Sequence, residues 1–285
     1  MDKNLVILAG GISSRMKKSF AENESDSGTV VNSKSMISVG DNNRPFLDYL
    51  LYNARKTEYS DVVIVISERD DSLKKYYGEK DKFNSYKGLQ ISYAVQKIPE
   101  GRNKPLGTAD ALKCALESRE DWKGKKFTSC NSDNLYSQKA LRLILESKSL
   151  NAMIDYDRNG LKFENDRTNE FAVTRKDNDG YLTDIIEKPS NEEIDTLQKK
   201  DGYVGVSMNI FRLSYDMIFP FLQIVPLHPV RNEKELTTAI KIMIDENSKS
   251  LLTIPLNEHV PDLTSKNDIE NVKEYLRQHY SGIDF

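Results

Sequence analysis

Leu5-Val6-Ile7-Leu8-Ala9-Gly10-Gly11-Ile12-Ser13-Ser14-Arg15-Met16 joins an unbroken apolar run to two glycines and, a few residues later, an arginine. A short apolar run without polar alternation predicts a strand covered on both faces, the habit of a parallel sheet. Gly10 and Gly11 leave backbone N–H groups open to a ligand, with no Cβ in the way. Ser13, Ser14 and Arg15 add hydroxyls and a planar cation suited to phosphate oxygens. The stretch reads as a phosphate-handling loop at the end of a first strand; an ordinary tight turn is the competing reading. Neither G-x-x-x-x-G-K-[ST] nor G-x-G-x-x-G can be read in it, so the rest of the chain must decide.

Outward from this stretch, strand-like runs alternate with helical patterns. Strands are expected at Leu5–Ala9, Val62–Ser67, Leu89–Val95, Phe127–Cys130 and Ala152–Tyr156. Helices are expected between them, at Pro45–Arg55, Asp71–Tyr77, Thr108–Glu117 and Ser137–Lys148. This βαβα rhythm predicts an α/β fold, a Rossmann-like, mostly parallel mixed sheet flanked by helices. After about Asp157 the rhythm changes. Strands at Phe171–Arg175, Tyr181–Ile186 and Tyr203–Leu213 are joined by polar turns such as Asp177-Asn178-Asp179-Gly180. Helices at Tyr215–Leu222, Glu235–Asp245 and Lys266–Gln278 and a strand at Leu251–Pro255 follow. The expected organisation is one domain over 1–285, with a first half (1–157) and a closing half (158–285). Residues 17–33, rich in Ser, Asn, Asp, Glu and Gly, are expected to form a flexible loop, either a lid over a substrate or a tolerated surface insertion.

Composition narrows the classes. The 285 residues can bury a full core, and 41 Lys+Arg against 44 Asp+Glu give no general argument for a nucleic-acid or membrane partner. Cys114 and Cys130 lack metal-ligand spacing and read as reduced core thiols. No basic-apolar leader opens the chain, and no apolar run approaches the roughly 20 residues of a membrane span. A cytoplasmic location is the expectation.

Further motifs fall in order: Ser33-Lys34-Ser35-Met36-Ile37, Lys104-Pro105-Leu106-Gly107-Thr108-Ala109-Asp110-Ala111-Leu112, Asn131-Ser132-Asp133-Asn134, Glu187-Lys188-Pro189, Val206-Ser207-Met208-Asn209 and Pro261-Asp262-Leu263-Thr264. Together with the glycine loop, these resemble the sugar-1-phosphate nucleotidyltransferases (nucleotide-sugar pyrophosphorylases), from Leu5 to about Leu276. Each short match is weak alone; their shared order carries the resemblance. It implies the nucleotide-diphospho-sugar transferase type of fold and a reaction that joins a nucleoside triphosphate to a sugar 1-phosphate, releasing pyrophosphate. Such a displacement brings two anions together, so the protein supplies cations, carboxylates and positioning rather than a covalent nucleophile.

Carried over by motif, the resemblance gives Arg15 the triphosphate and the departing pyrophosphate, and Lys34 the neutralisation of phosphate charge beside it. Asp133 and Asp262, both expected at strand ends, would hold Mg²⁺, a hard cation that favours carboxylates, phosphate oxygens and water. Lys188 would bind the phosphate of the sugar 1-phosphate and Glu187 the sugar hydroxyls, with Asn209 nearby. Leu8, Ala9, Gly10, Gly11 and Ser14 would line the nucleotide, Gly107 and Thr108 would meet the base through backbone groups, and Gln96 would read the base edge.

The chain departs from the family pattern in places. Ser33 precedes Lys34 where proline is usual, after a long polar insert; Asn209 stands where many relatives have glycine, and Thr238 where they often show aspartate. Two other readings remain open. One is a cytidylyltransferase or related enzyme acting on a non-sugar phosphate; the other is a noncatalytic nucleotide-sugar sensor on the same fold. A homo-oligomer is compatible with any of these. Base and sugar are not legible in the sequence.

Overall fold

In the computed structural model, which describes residues 1–11, 33–169 and 171–285, the opening apolar run is a strand, β1 (Asn4–Leu8), buried along its whole length. Leu5 and Ile7 enter one apolar cluster while Val6 and Leu8 enter another, because successive strand residues point to opposite faces. The unbroken apolar run thus has its cause in a sheet covered on both sides. Ser14, Arg15 and 17–32 of the polar segment lie outside the described residues.

Along the chain follow α1 (Phe46–Lys56), β2 (Asp61–Ser67), α2 (Ser72–Tyr77), β3 (Asn84–Tyr86), β4 (Leu89–Gln96), α3 (Thr108–Ser118), β5 (Lys126–Asn131), α4 (Gln138–Glu146) and β6 (Asn151–Asp157). The second half adds the short α5 (Asn165–Thr168), then β7 (Val173–Lys176), β8 (Leu182–Ile186), α6 (Asn191–Asp201) and β9 (Gly205–Ser214). It closes with α7 (Tyr215–Ile224), α8 (Leu236–Glu246), β10 (Leu251–Leu256) and α9 (Asp268–Tyr280).

These strands form a 10-stranded sheet of order β10-β6-β9-β5-β1-β2-β4-β3, with β7 joining β9 and β8 beside it. β1 is parallel to β2 and β5, β2 to β4, and β6 to β10. β9 is antiparallel to both β5 and β6. The sheet is therefore the expected mixed, mostly parallel one, and it takes strands from both halves of the chain. Leu8 is level with Val65 and Asn131, and Ser67 with Gln96, so the carboxyl ends of four strands share one edge. The amino end of β9 reaches the same edge because that strand runs the other way.

Helices cover both faces. α1 buries Phe46, Leu47, Leu50, Leu51 and Ala54, a helical spacing that makes one apolar stripe. It packs with α4 and α9 residues such as Leu141, Val272 and Leu276, whereas α3, α7 and α8 build the cluster on the other face through Leu112, Ile218 and Ile240. Truncating any one of these buried leucines to alanine costs about 2–5 kcal/mol, because the neighbours cannot fully close the cavity.

Some expectations shift. The strand expected from Phe171 begins at Val173, and the last helix begins at Asp268, where that residue's carboxylate accepts the Thr264 and Ser265 N–H groups. α6 was not anticipated from apolar pattern because only Leu197 on it is buried; its signal is the Ser190/Glu193 capping box. Of the two expected core thiols, Cys130 is buried, while Cys114 on α3 is only half-buried. Within β9, the pairing with β6 shifts register between Met153 and Asp155, and Asn209 adopts φ 55°. Asparagine tolerates this left-handed conformation better than other side chains with a Cβ, which explains how it can stand at this point of the strand.

Candidate active site

The shared strand edge opens into a cleft of about 710 Å³ lined by Leu8, Gly10, Gly11, Gln96, Gly107, Thr108, Asn131 and Asp133, together with Arg102, Lys104 and Glu233. A smaller adjoining hollow of about 190 Å³ shares Asn131 and Asp133 and adds Asn209 and Asp262. The glycine loop, the Gly107-Thr108 turn and both proposed metal carboxylates thus meet along one continuous wall. Ala9 does not line it; its N–H extends the β1–β2 ladder by bonding to the Val65 carbonyl at 2.9 Å.

Asp133 lies just beyond the end of β5, as expected. Asp262 does not sit at a strand end: β10 stops at Leu256, and the chain crosses back to form an isolated antiparallel bridge between Asn134 and Asp262. Leu135 N–H donates to the Pro261 carbonyl at 2.9 Å and Leu263 N–H to the Asp133 carbonyl at 2.8 Å. This backbone stitch brings the two carboxylates together. Burial, and then the neighbouring Asp133 charge, push the Asp262 carboxyl above the usual aspartate range, against the opposing pull of Thr264 and Arg167.

Each carboxylate also faces a cation. Lys34 Nζ stands 3.5 Å from Asp133 Oδ2, and Arg167 Nη2 donates to Asp262 Oδ2 at 2.7 Å while Thr264 Oγ1 donates to Asp262 Oδ1 at 2.7 Å. Arg167 also reaches Asp268 and lies over the Phe163 ring. No cluster of three or more His, Cys, Asp or Glu side chains fit for a metal occurs among the described residues. A two-carboxylate corner beside an open cleft suits a cation that takes its remaining ligands from phosphates and water.

On the opposite side the cleft is built by close backbone approach. Gly107 has φ 109°, and a Cβ there would meet the Lys234 carbonyl at 2.6 Å, so a side chain is excluded. Ala109 N–H donates to the Lys234 carbonyl and Leu236 N–H to Thr108 Oγ1, both at 2.9 Å, pinning the start of α3 to the start of α8. Gln96 is 2% exposed, and its Nε2 donates to the Gly107 carbonyl and to Asp110 Oδ2, both at 2.9 Å. A Cβ at Gly10 would lie 3.0 Å from Gln96 Oε1, whereas one at Gly11 would meet nothing within 4 Å. A side chain at Gly10 would thus press on the Gln96 amide, whereas Gly11 faces open space.

Glu187 and Lys188 follow β8, and both are exposed. Neither lines the two hollows; Glu187 Oε2 faces Arg231 Nη2 at 3.5 Å, and Arg231 also pairs with Glu235 at 2.7 Å. Lys188 takes φ 50°. Sequence reading missed Arg102, Lys104, Glu233, Arg167 and Arg231. Arg102 Nη2 bonds the Asn232 carbonyl and Lys104 Nζ the Glu233 carboxylate, each at 2.5 Å, so the loop before α3 is clasped to the loop before α8. Nothing local marks these roles: Arg102, Arg231 and Glu233 are single charges in polar loops, Lys104 is only the first residue of a motif read for its glycine and threonine, and Arg167, on the short α5, meets Asp262 from 95 positions away.

Comparison with known proteins finds relatives in sequence and in fold. The chain is 28% identical over 159 residues to the D-glycero-alpha-D-manno-heptose 1-phosphate guanylyltransferase of Campylobacter jejuni, covering 54% of this chain and 60% of that protein. It is 23% identical over 245 residues to the low-salt glycan biosynthesis nucleotidyltransferase Agl11 of Haloferax volcanii, covering 85% of this chain and 57% of that one. The matched part thus spans less than two thirds of these relatives' lengths. In fold, the chain resembles a putative glucose-1-phosphate thymidylyltransferase from Bacillus anthracis at a TM-score of 0.69 and 17% identity, covering 99% of this chain and 96% of that one. It also resembles a UDP-glucose pyrophosphorylase at 0.71 and 16%, covering 98% and 99%. A sequence profile of the family described as "Nucleotidyl transferase" matches residues 5–253, from β1 into β10, which takes in the glycine loop, the Gly107-Thr108 turn and Asp133 and stops short of Asp262; the chain belongs to the nucleotidyl transferase family.

Proposed function

We propose that this chain transfers a nucleotidyl group from a nucleoside triphosphate to a sugar 1-phosphate, with Mg²⁺ held by Asp133 and Asp262. In this reaction an oxygen of the sugar phosphate bonds to the α-phosphorus of the triphosphate. The bond from that phosphorus to the bridging oxygen of the β-phosphate breaks, and pyrophosphate leaves with the electron pair. The observation that carries the reading is the meeting of two carboxylates, one of them raised in pKa by its burial and then by the charge of the other, at the lip of a cleft of nucleotide size. Like charges held this close are relieved by a cation between them.

When bound, the metal ion supplies positive charge to the triphosphate oxygens. The chain's own residues do the rest. Lys34, beside Asp133, neutralises phosphate charge at the same corner, and Arg15 is assigned the departing pyrophosphate on its motif alone. Gly10 and Gly11 let the phosphates approach the backbone. Lys188 is assigned the phosphate of the acceptor and Glu187 its sugar hydroxyls on their motif alone, from the β8 end outside the two hollows, and Asn209 lines the smaller hollow beside Asp133. The guanylyltransferase relatives put GTP first among donors to try, with heptose 1-phosphate as acceptor.

The test is pyrophosphate release from a panel of triphosphates and sugar 1-phosphates, with and without Mg²⁺, for wild type and Asp133→Ala. Release that needs the metal and collapses in the variant supports the proposal. Undiminished turnover by Asp133→Ala overturns the metal assignment, and activity confined to a non-sugar phosphate acceptor overturns the substrate class.

A further inference from the structure

We infer that Asp110 is a positioning residue that fixes the polarity of the base-reading group. By holding the Gln96 amide nitrogen it leaves only the amide oxygen for the cleft, so the site takes bases that present a ring N–H there. This rests on the nucleotidyl-transfer reading and adds to it a rule for which bases are accepted.

A glutamine amide can face a ligand in two ways, as donor or as acceptor, and its surroundings decide which. Here both Nε2 hydrogens have acceptors, the Gly107 carbonyl and Asp110 Oδ2, each at 2.9 Å. Turning the amide over would set Gln96 Oε1 against a carbonyl oxygen and a carboxylate oxygen, three acceptors with no proton between them. At a side chain 2% exposed, water cannot repair that loss. Neither acceptor can easily yield: the Gly107 backbone is locked against Lys234, and Asp110 sits in the first turn of α3, where the helix dipole favours a carboxylate.

The amide oxygen is left on the side of Gly10, and both Gly10 and Gln96 line the cleft. Among the described residues, no N–H or O–H donates to that oxygen. A base read there must bring the proton itself. Guanine offers N1–H, and uracil and thymine offer N3–H. Adenine N1 and cytosine N3 present a lone pair instead, which the Gln96 oxygen repels, so these bases can meet it only through the exocyclic amino group, displaced along the edge from the ring nitrogen.

Equilibrium binding of GTP, UTP, dTTP, CTP and ATP to the full chain, in the presence of Mg²⁺, tests this. GTP, UTP or dTTP should bind about tenfold to a hundredfold more tightly than CTP and ATP, the range expected for one unmatched buried hydrogen bond. GTP methylated at N1, or UTP methylated at N3, should lose that advantage on the wild-type protein. Asp110→Asn, which can donate to a reversed Gln96 amide, should narrow the ratio between the two groups by about tenfold. A purely structural role for Asp110 would instead weaken every nucleotide alike, and that result overturns the inference, as does equal binding of all five by the wild type. The methylated nucleotides keep the test decisive if the variant does not fold. Failure of all five triphosphates to bind overturns the nucleotidyl-transfer reading itself, and the inference with it.

Discussion

Asp155 is fully buried and Asp262 largely so, and each faces a cation, yet their surroundings differ in kind. Asp155, fully buried on β6, accepts Lys176 Nζ at 2.8 Å, Tyr203 OH at 2.6 Å and Thr174 Oγ1 at 2.6 Å, so its charge is neutralised and its lone pairs are occupied by fixed neighbours. Gly205 has no room for a side chain because the Asp155 carboxylate fills that space. Asp262 has Arg167 and Thr264, but a second carboxylate, Asp133, presses on it from the cleft side. One aspartate closes a network within the fold; the other keeps an unresolved repulsion at an open surface. Burial and ion pairing are common to both carboxylates; what differs is where the like charge lies, Asp201 behind Lys176 within the fold for Asp155 and Asp133 on the cleft side for Asp262.

The sharpest way to break this contrast is to exchange the consequences. Asp133→Ala should lower turnover by about 10³-fold or more, equivalent to roughly 4 kcal/mol in the barrier, with little loss of stability. Steady-state pyrophosphate release and a urea midpoint measured on the same variant check both halves. Asp155→Ala should do the reverse, costing about 3–5 kcal/mol of stability by leaving the buried Lys176 charge with only the more distant Asp201 carboxylate, at 3.7 Å, and by taking the acceptor from Thr174 and Tyr203. The activity of its folded fraction at low temperature should match wild type; a specific loss of turnover at full stability would place Asp155 in the site after all.

Two smaller effects sharpen the comparison through pH. His259 lines the hollow behind Asp262 with Asp268, and burial, followed by Lys162, Arg167 and His279, holds its pKa down to about 4. Its Nδ1 accepts the Lys162 N–H, a bond that suits the neutral ring. A depressed histidine favours the fold above its ordinary value of 6.5, and that contribution drains away as pH falls from there through about 4. His259→Asn should flatten this part of the stability profile, read from unfolding midpoints across the window.

Asp262 has the opposite sign. Its raised carboxyl favours the fold at low pH, where it is protonated, and the benefit is lost as pH rises through the raised value. Asp262→Asn should therefore gain on wild type as pH rises through that window, and Mg²⁺ should stabilise wild type more than the variant. A midpoint difference that does not change with pH would remove the repulsion argument.

Much of this was legible in the chain. The apolar run Leu5–Ala9, the glycines after it and the helix opening at Thr108 each carry their cause locally, in burial on two faces and in backbone freedom, and the structure places them as read. Asp133 follows its strand for the same reason. Asp262 was legible as a motif but not as a position, because its place depends on a bridge to Asn134 made after the chain has left β10. Arg167 was invisible, since a lone arginine has no pattern until tertiary contacts give it two carboxylates. α6 was legible and overlooked: its polar faces hid it from an apolar-stripe reading while Ser190 and Glu193 announced its start. Gln96 was chosen as a base reader, but sequence could not show that its nitrogen is already engaged.

The left-handed Asn209 in the middle of β9 has a consequence for how such a site can change over generations. Most side chains are strained at φ 55°, so this cleft-lining position admits few occupants, chiefly glycine, asparagine and aspartate. Asparagine codons do not reach glycine codons by a single nucleotide change. The route most compatible with the backbone passes through aspartate, which would set a third carboxylate beside Asp133 and Asp262. Substitution at this point is thus restrained from two directions, by backbone geometry and by charge.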